Sequence, residues 1–331
     1  DFGPEDFREG LRVLIETYEK NPFNEKGRRR NRGRLLQLLA TRLRVEEAFR
    51  RHPEIREREI RAPLFLTGLP RSGTSALFNL LAADPAARPL LLWESQFPDP
   101  NWELAPGEVD PRYLAVKAYT DAQREQNPEF TAIHYASADT PEECVLLHAI
   151  GFDGGQTGYE LLFEPYASWI AEHDLRPLYR YYADLLRLLD WQRPGERWLL
   201  KTPSHLWALD ALVEVFPDCG IVWNHRDPAL CMPSITSMMQ VILAPQMEIA
   251  PEALGPRVLD HYAASMDRAL ALRDGIDPAR IFDVPYAALT ADPHALVGEL
   301  YAHLGLPLEA ATEAAMRAHA TSHTKDRHGV H

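Results

Sequence analysis

Cysteine is scarce in this chain. Cys144, Cys219 and Cys231 lie far apart among 331 residues, with no CxxC pair. That excludes a disulfide framework and a cysteine zinc site, and it predicts a reducing compartment, the cytoplasm. Long apolar runs are missing too: no stretch approaches the roughly 20 residues a membrane helix needs, so no integral membrane segment is expected. The opening DFGPEDFREG has neither the basic nor the apolar region of a signal peptide. Basic charge is in the minority, since 35 Lys and Arg face 48 Asp and Glu for a net charge of −13. Such a surface is a poor match for nucleic acid or for an anionic membrane, so any anion site has to be local. No internal repeat or low-complexity linker breaks the chain. What is plentiful is apolar material, 46% of residues, enough for a large core in a single domain spanning 1–331.

One stretch runs against the overall charge. Residues 26–61 hold thirteen Lys or Arg and five Glu. Leu35, Leu39 and Leu43 recur there at helical spacing with arginines between them, which predicts an amphipathic surface helix with a solvated basic face, or a docking surface for an acidic partner. Residues 1–61 thus read as an N-terminal helical segment. Beyond it, short runs apolar on both faces alternate with helix-like periods. APLFLT (Ala62 to Thr67), ERWLLK (Glu196 to Lys201), CGIVWN (Cys219 to Asn224) and ARIFDV (Ala279 to Val284) read as buried strands, with RPLLLW (Arg88 to Trp93) a fifth. Helical periods cover Ser75 to Ala83, Ser204 to Val215, Pro228 to Met239, Leu254 to Arg273 and Ala291 to Leu304. This alternation predicts an α/β fold, a mainly parallel central sheet covered on both faces. The interval from about 97 to 192 breaks the rhythm and reads as a helical and loop insertion forming a substrate lid.

The run LFLTGLPRSGTSALFNLL, Leu64 to Leu81, is a strand, a glycine-bounded turn and a helix start. Such a turn aims backbone N–H groups and the positive helix end at one spot, which suits phosphate or another tetrahedral anion. A nucleoside triphosphatase loop would read GxxxxGK[ST], whereas Thr74 stands here in the lysine position. Positive charge instead comes from Arg71 within the loop, surrounded by the hydroxyls of Ser72, Thr74 and Ser75. No apolar strand ending in a magnesium-binding aspartate follows, because CGIVWN runs into His225 and Arg226. The expected site therefore neutralises its anion with side chains and backbone, without a metal.

These residues resemble the sulfotransferases that use 3′-phosphoadenosine 5′-phosphosulfate (PAPS). GLPRSGTS is similar to their 5′-phosphosulfate loop, and IVWNHRDPALCMPS carries an arginine and, eight residues on, a serine, as in the family's 3′-phosphate site. WE after the second strand, LKTPSH and HRDP match the bacterial-type members. The resemblance implies a P-loop-like three-layer α/β/α sandwich and sulfuryl transfer to a hydroxyl. It also implies cofactor contacts from Pro70, Arg71, Ser72, Gly73, Thr74, Ser75, Arg226 and Ser234. The terminal TKDRHGVH loosely resembles the loop that closes over the 3′-phosphate, which adds Arg327 and Gly329. Two departures stand out. Ala76 occupies the place of the tryptophan that stacks on adenine in cytosolic relatives, and the lysine–threonine–histidine motif appears as Lys201-Thr202-Pro203-Ser204-His205, its histidine displaced by two positions.

The chemistry needs a base for the acceptor proton, stabilisation of the sulfuryl group in flight, and a counter-charge for the departing phosphate. Arg71 is a permanent cation, and Lys201 could also donate a proton to the leaving oxygen. Structural alternatives exist for both expected cations: Lys201 as a strand-end lysine reaching for solvent, Arg226 as the partner of the adjacent Asp227. For the base the candidates are Glu94, after the second strand, with His205 and His134 as rivals. Glu142 and Glu143 in DTPEEC read as helix-start residues behind a Thr140 cap. Trp93, Phe97, Trp102, Tyr113, Tyr119, Phe130 and Tyr135 lean towards a small-molecule acceptor that is apolar or ring-containing. Two other readings remain open at this point, a nucleotide-binding regulatory protein without turnover and a small-molecule kinase.

Overall fold

A computed structural model describes residues 1–105, 107–126, 135–154 and 158–322. His134, Phe130, Arg327 and Gly329 lie outside the described residues. Five strands form one sheet: β1 (Leu64–Gly68), β2 (Ala87–Pro89), β3 (Arg197–Lys201), β4 (Gly220–His225) and β5 (Ile281–Pro285), in the order β2-β3-β1-β4-β5. Every pairing is parallel.

The period of two along each strand explains why the runs are continuously apolar. Phe65, Leu200, Ile221 and Trp223 point to one face, into the larger core. Leu64, Leu66, Leu199 and Val222 point to the other, into a second core. The larger core is shared with α1 (Phe7–Lys20), α2 (Glu25–Arg51), α6 (Val145–His148), α7 (Tyr166–Glu172), α8 (Arg176–Gln192), α9 (Leu209–Val215), α10 (Pro228–Leu243) and α11 (Pro251–Arg273). The second face is covered by α3 (Thr74–Leu81), α12 (Tyr286–Ala291), α13 (Pro293–His303) and α14 (Ala310–Ser322). A small satellite of Leu92, Val116 and Ala138 joins α4 (Leu92–Gln96) to α5 (Pro111–Gln126). This is the three-layer α/β/α sandwich expected from the sequence.

Local chemistry fixes the helix starts. Asp227 accepts from the Ala229 N–H (2.9 Å) and Pro228 takes the first helical position of α10. Asp227 is thus a cap rather than an ion-pair partner for Arg226. The same Asp-Pro arrangement opens α13 at Asp292 and Pro293.

Two sequence expectations fail. RPLLLW is a strand only as far as Pro89, because β2 is the sheet edge and the chain peels off after it: the Leu92 N–H donates to the Thr140 carbonyl (3.0 Å) and α4 begins. The helix expected from Ser204 opens instead as a 3-10 turn, Pro203–Trp207, and α9 starts only at Leu209.

Candidate active site

Parallel pairing puts all the strand ends on one side, and β1 lies between β3 and β4. Leu66 is in register with Lys201 and Val222, and Gly68 with Asn224. The carboxyl ends of β1, β3, β4 and β5 therefore present the Gly68–Gly73 loop, Lys201, Arg226 and Tyr286 to a common crevice, where open sheets bind ligands.

The loop is built for close approach. Gly68 has φ +137°, and a Cβ there would meet the Asn224 carbonyl oxygen at 2.4 Å. Arg71 itself takes the left-handed region (φ +69°), as does Gly73 (φ +90°) at the helix N-cap. A side-chain residue held at positive φ costs of order 1–3 kcal/mol and marks a functional turn. The Ser72 hydroxyl and N–H both bond the Leu69 carbonyl, at 2.6 and 3.2 Å, closing the turn. Gly73 provides no side-chain cap, so the first N–H groups of α3 stay open at the positive end of the helix. Thr74 is buried and Ser75 is exposed at that opening.

Arg226 and Ser234 sit against this loop. The Arg226 Nη1 donates to the Arg71 carbonyl (2.7 Å), and the Arg71 Nε donates to Ser234 Oγ (3.1 Å). Arg226 Nε is buried with no protein partner among the described residues. An orphaned guanidinium N–H beside a helix N-terminus is the feature a bound phosphate would satisfy, and the donor set fits a nucleotide bisphosphate. The Tyr286 ring lies under the Arg226 guanidinium, 4.3 Å from centroid to Cζ, and packs over Gly73. The sequence offered no aromatic platform in place of Ala76. Its signal was Tyr286, the first residue after β5.

Lys201 is almost fully buried at the end of β3, and its Nζ meets both Ser75 Oγ (2.9 Å) and Glu143 Oε1 (2.8 Å). One ammonium thus joins the anion loop to a carboxylate. Glu143 is carried there by the chain running along Leu90–Trp93: the Trp93 N–H donates to Ala138, the Glu142 N–H to Leu90, and the Cys144 N–H to the Lys201 carbonyl (2.9 Å). Thr140 does not cap a helix; its hydroxyl closes a turn with Ser137. Helix α6 starts only at Val145. Glu143 is therefore no helix-start residue. Its side chain is 26% exposed, open enough to meet a substrate.

Two of the three residues expected as the base, Glu94 and His205, are committed elsewhere, and the third, His134, lies outside the described residues. Glu94 is 2% exposed, its carboxylate taken by Arg88 Nη1 and Nη2 (2.7 and 3.0 Å), Arg193 Nε and Nη2 (2.7 and 3.1 Å) and the Leu91 N–H (3.1 Å). Burial pushes its pKa up, but the Arg193 hydrogen bonds and the charge and hydrogen bonds of Arg88 outweigh that, leaving it below the usual carboxylate value. A depressed, saturated carboxylate is a poor base. His205 is fully buried in the larger core, its Nδ1 against the Tyr179 hydroxyl (2.6 Å) and its ring edge-to-face with Phe65. Burial, and then neighbouring His148, hold its pKa well below the histidine range. The two extra residues after Thr202 form a 3-10 turn that leads the ring into the core and away from the crevice.

The aromatic residues read as an acceptor lining also divide. Trp93 and Tyr113 pack edge-to-face beside the α4–α5 satellite, whereas Trp102 stacks on His52.

Comparison with known proteins gives the family. A profile of the sulfotransferase family matches residues 63–310. The structure of sulfotransferase STF1 from Mycobacterium tuberculosis is 34% identical, with 97% of this chain and 89% of that one superposed at a TM-score of 0.87. That of sulfotransferase STF9 from Mycobacterium avium is 30% identical, covering 99% and 85%, also at 0.87. Omega-hydroxy-beta-dihydromenaquinone-9 sulfotransferase from Mycobacterium bovis is 29% identical over 110 residues, which span 33% of this chain and 28% of that protein.

Proposed function

The chain belongs to the sulfotransferase family, and from that premise we propose that it transfers a sulfuryl group from PAPS to the hydroxyl of a small-molecule acceptor. The observation that carries the assignment of roles is the Lys201 ammonium, in contact with both the anion loop and Glu143. The open N–H groups of α3, with Arg71, Ser72, Thr74 and Ser75, hold the 5′-phosphosulfate. Arg226 and Ser234 hold the 3′-phosphate, and Tyr286 is the aromatic partner of the adenine base. Pro70 shapes the turn.

In the transfer, Glu143 accepts the acceptor's hydroxyl proton as the new S–O bond forms. The bond between sulfur and the bridging phosphate oxygen breaks, and Lys201 neutralises the charge that collects on that oxygen. Arg71 compensates the equatorial sulfuryl oxygens; a fixed guanidinium needs no reorganisation at that moment. The menaquinone derivative named for the mycobacterial relative supports an apolar, ring-bearing alcohol as acceptor. Three buried free thiols support the cytoplasm as its place of work, and no helix among the described residues is long and apolar enough to cross a membrane.

Calorimetry tests the donor assignment. Adenosine 3′,5′-bisphosphate should bind far more tightly than ADP, without magnesium, and Arg226→Ala should remove about 1.5–3 kcal/mol of that preference. Equal affinities, or a strict need for magnesium, would return the protein to the kinase reading. Tight bisphosphate binding without turnover on any alcohol would return it to the regulatory one.

A further inference from the structure

Helix α2 carries the basic stretch, and the site described above uses none of it. From Lys26 to Val45 the chain holds eight Lys or Arg and no acid, although acids make up 48 of its 331 residues. Two of these cations are spent on the fold. Arg42 is buried against the carbonyls of Phe2, Pro4 and Ile150, and Arg34 is largely covered. Lys26, Arg28, Arg29, Arg30, Arg32 and Arg44 are exposed. Arg29 pairs with Glu25, Arg28 with the Phe23 carbonyl and Arg44 with Asp99, while Lys26, Arg30 and Arg32 make no ion pair among the described residues. The helix is anchored from behind by Leu35, Leu38, Val45 and Phe49, so folding does not require this outer charge.

The outer face is also apolar in its second half. Leu36 is 54% and Leu43 38% exposed, with exposed Ala40 between them at helical spacing. Arg29 and Arg32 lie at helical spacing from Leu36, Ala40 and Leu43, so cations at one end and leucines at the other share one exposed face roughly 21 Å long, which describes a helix that lies on a lipid interface. We propose that α2 docks the enzyme on an anionic bilayer surface, its arginines at the lipid phosphates and Leu36 and Leu43 between headgroups. The net charge of −13 does not prevent this, because charges further than a Debye length of about 8–10 Å from the surface are screened.

Geometry relates the surface to the site. The first turn of α2 packs on the far end of α10: Asn24 N–H donates to the Gln246 carbonyl, and a Cβ on Gly27 would meet that same oxygen at 2.5 Å. Helix α10 carries Ser234 nine residues before its last residue, Leu243, roughly 14 Å by helical rise. The preference for lipid over an acidic protein surface rests on the apolar-acceptor reading, since such an alcohol collects in membranes and docking would bring the crevice to it.

The test needs neither acceptor nor turnover, so it fails or succeeds independently of that reading. The full chain is sedimented with vesicles of phosphatidylcholine alone or with about 30% phosphatidylglycerol, and a partition at least about 10²-fold weaker is expected for the combined Arg28→Gln, Arg29→Gln, Arg30→Gln and Arg32→Gln variant. Binding of the parent should require the anionic lipid and should collapse near 0.5 M salt, where screening is within about 4–5 Å. Unchanged circular dichroism and bisphosphate affinity certify the variant as folded. Absence of lipid-dependent sedimentation by the parent at low salt, or equal sedimentation of parent and variant, overturns the proposal and leaves the face to solvent or an acidic protein.

Discussion

Glu94→Gln separates structure from catalysis. If the carboxylate compensates Arg88 and Arg193, the amide keeps the shape and leaves a buried guanidinium without its counter-charge. The Arg88 and Glu94 side chains are 1% and 3% exposed, and removing one partner of such a pair costs about 3–5 kcal/mol. Arg193 is 45% exposed, so its share is screened and adds little. An unfolding entropy of about 2.1 cal/mol/K per residue over the 331 residues is roughly 0.7 kcal/mol/K, which converts the loss to a drop of about 4–7 °C in Tm. Scanning calorimetry reads the drop, and turnover below the transition should stay near normal. The reasoning is refuted by a variant that melts like the parent and loses about 10²-fold or more in turnover, because that pattern belongs to a general base.

Glu143→Gln should show the opposite pattern: turnover lower by about 10²–10⁴, bisphosphate affinity kept, and a smaller change in melting temperature. Gly68→Ala places a Cβ 2.4 Å from the Asn224 oxygen at φ +137°, and strain of about 2 kcal/mol or more should lower Tm and weaken bisphosphate binding measured by calorimetry. His148 and His205 are held neutral by burial, His148 down to about 3. The unfolded chain takes up those protons near pH 6.5 and the folded chain does not, so their stability is present above that pH and lost below it. His148 alone should withdraw about 2 kcal/mol between pH 6.5 and 5, and His148→Gln should flatten the melting temperature against pH across that window; equal slopes would assign the acid sensitivity elsewhere.

The inner strands β1, β3 and β4 were legible because each is short, apolar on both faces and bounded by turn residues, and the two cores divide those side chains by alternation, Phe65 to one and Leu66 to the other; β5, read as buried, is an edge strand that leaves Asp283 exposed. The anion loop was legible for a different reason: its function lies in contiguous backbone, so GLPRSGTS contains the turn, the charge and the helix start together. RPLLLW misled because an edge strand and the start of a short helix share the same composition. What decides between them is the contact of Leu91 and Leu92 with Thr140 and Pro141, some fifty residues on.

The base was the least legible part, and the cause is charge compensation. Glu94 and Glu143 are the same residue type near the same edge of the sheet, and proximity to a strand end favoured the first. Five N–H donors surround Glu94, four of them from arginines at positions 88 and 193. The Glu143 carboxylate is paired with the Lys201 ammonium, which comes from another element. No local window contains Arg193 for Glu94 or Lys201 for Glu143. A sequence reading can still narrow the choice by asking which carboxylate has an arginine within a few residues to neutralise it: Arg88 precedes Glu94 by six, whereas no Lys or Arg lies between Arg124 and Arg176 to claim Glu143. An acid with no local cation either stays in water or meets a cation supplied by another element, and here that element is the strand ending in Lys201.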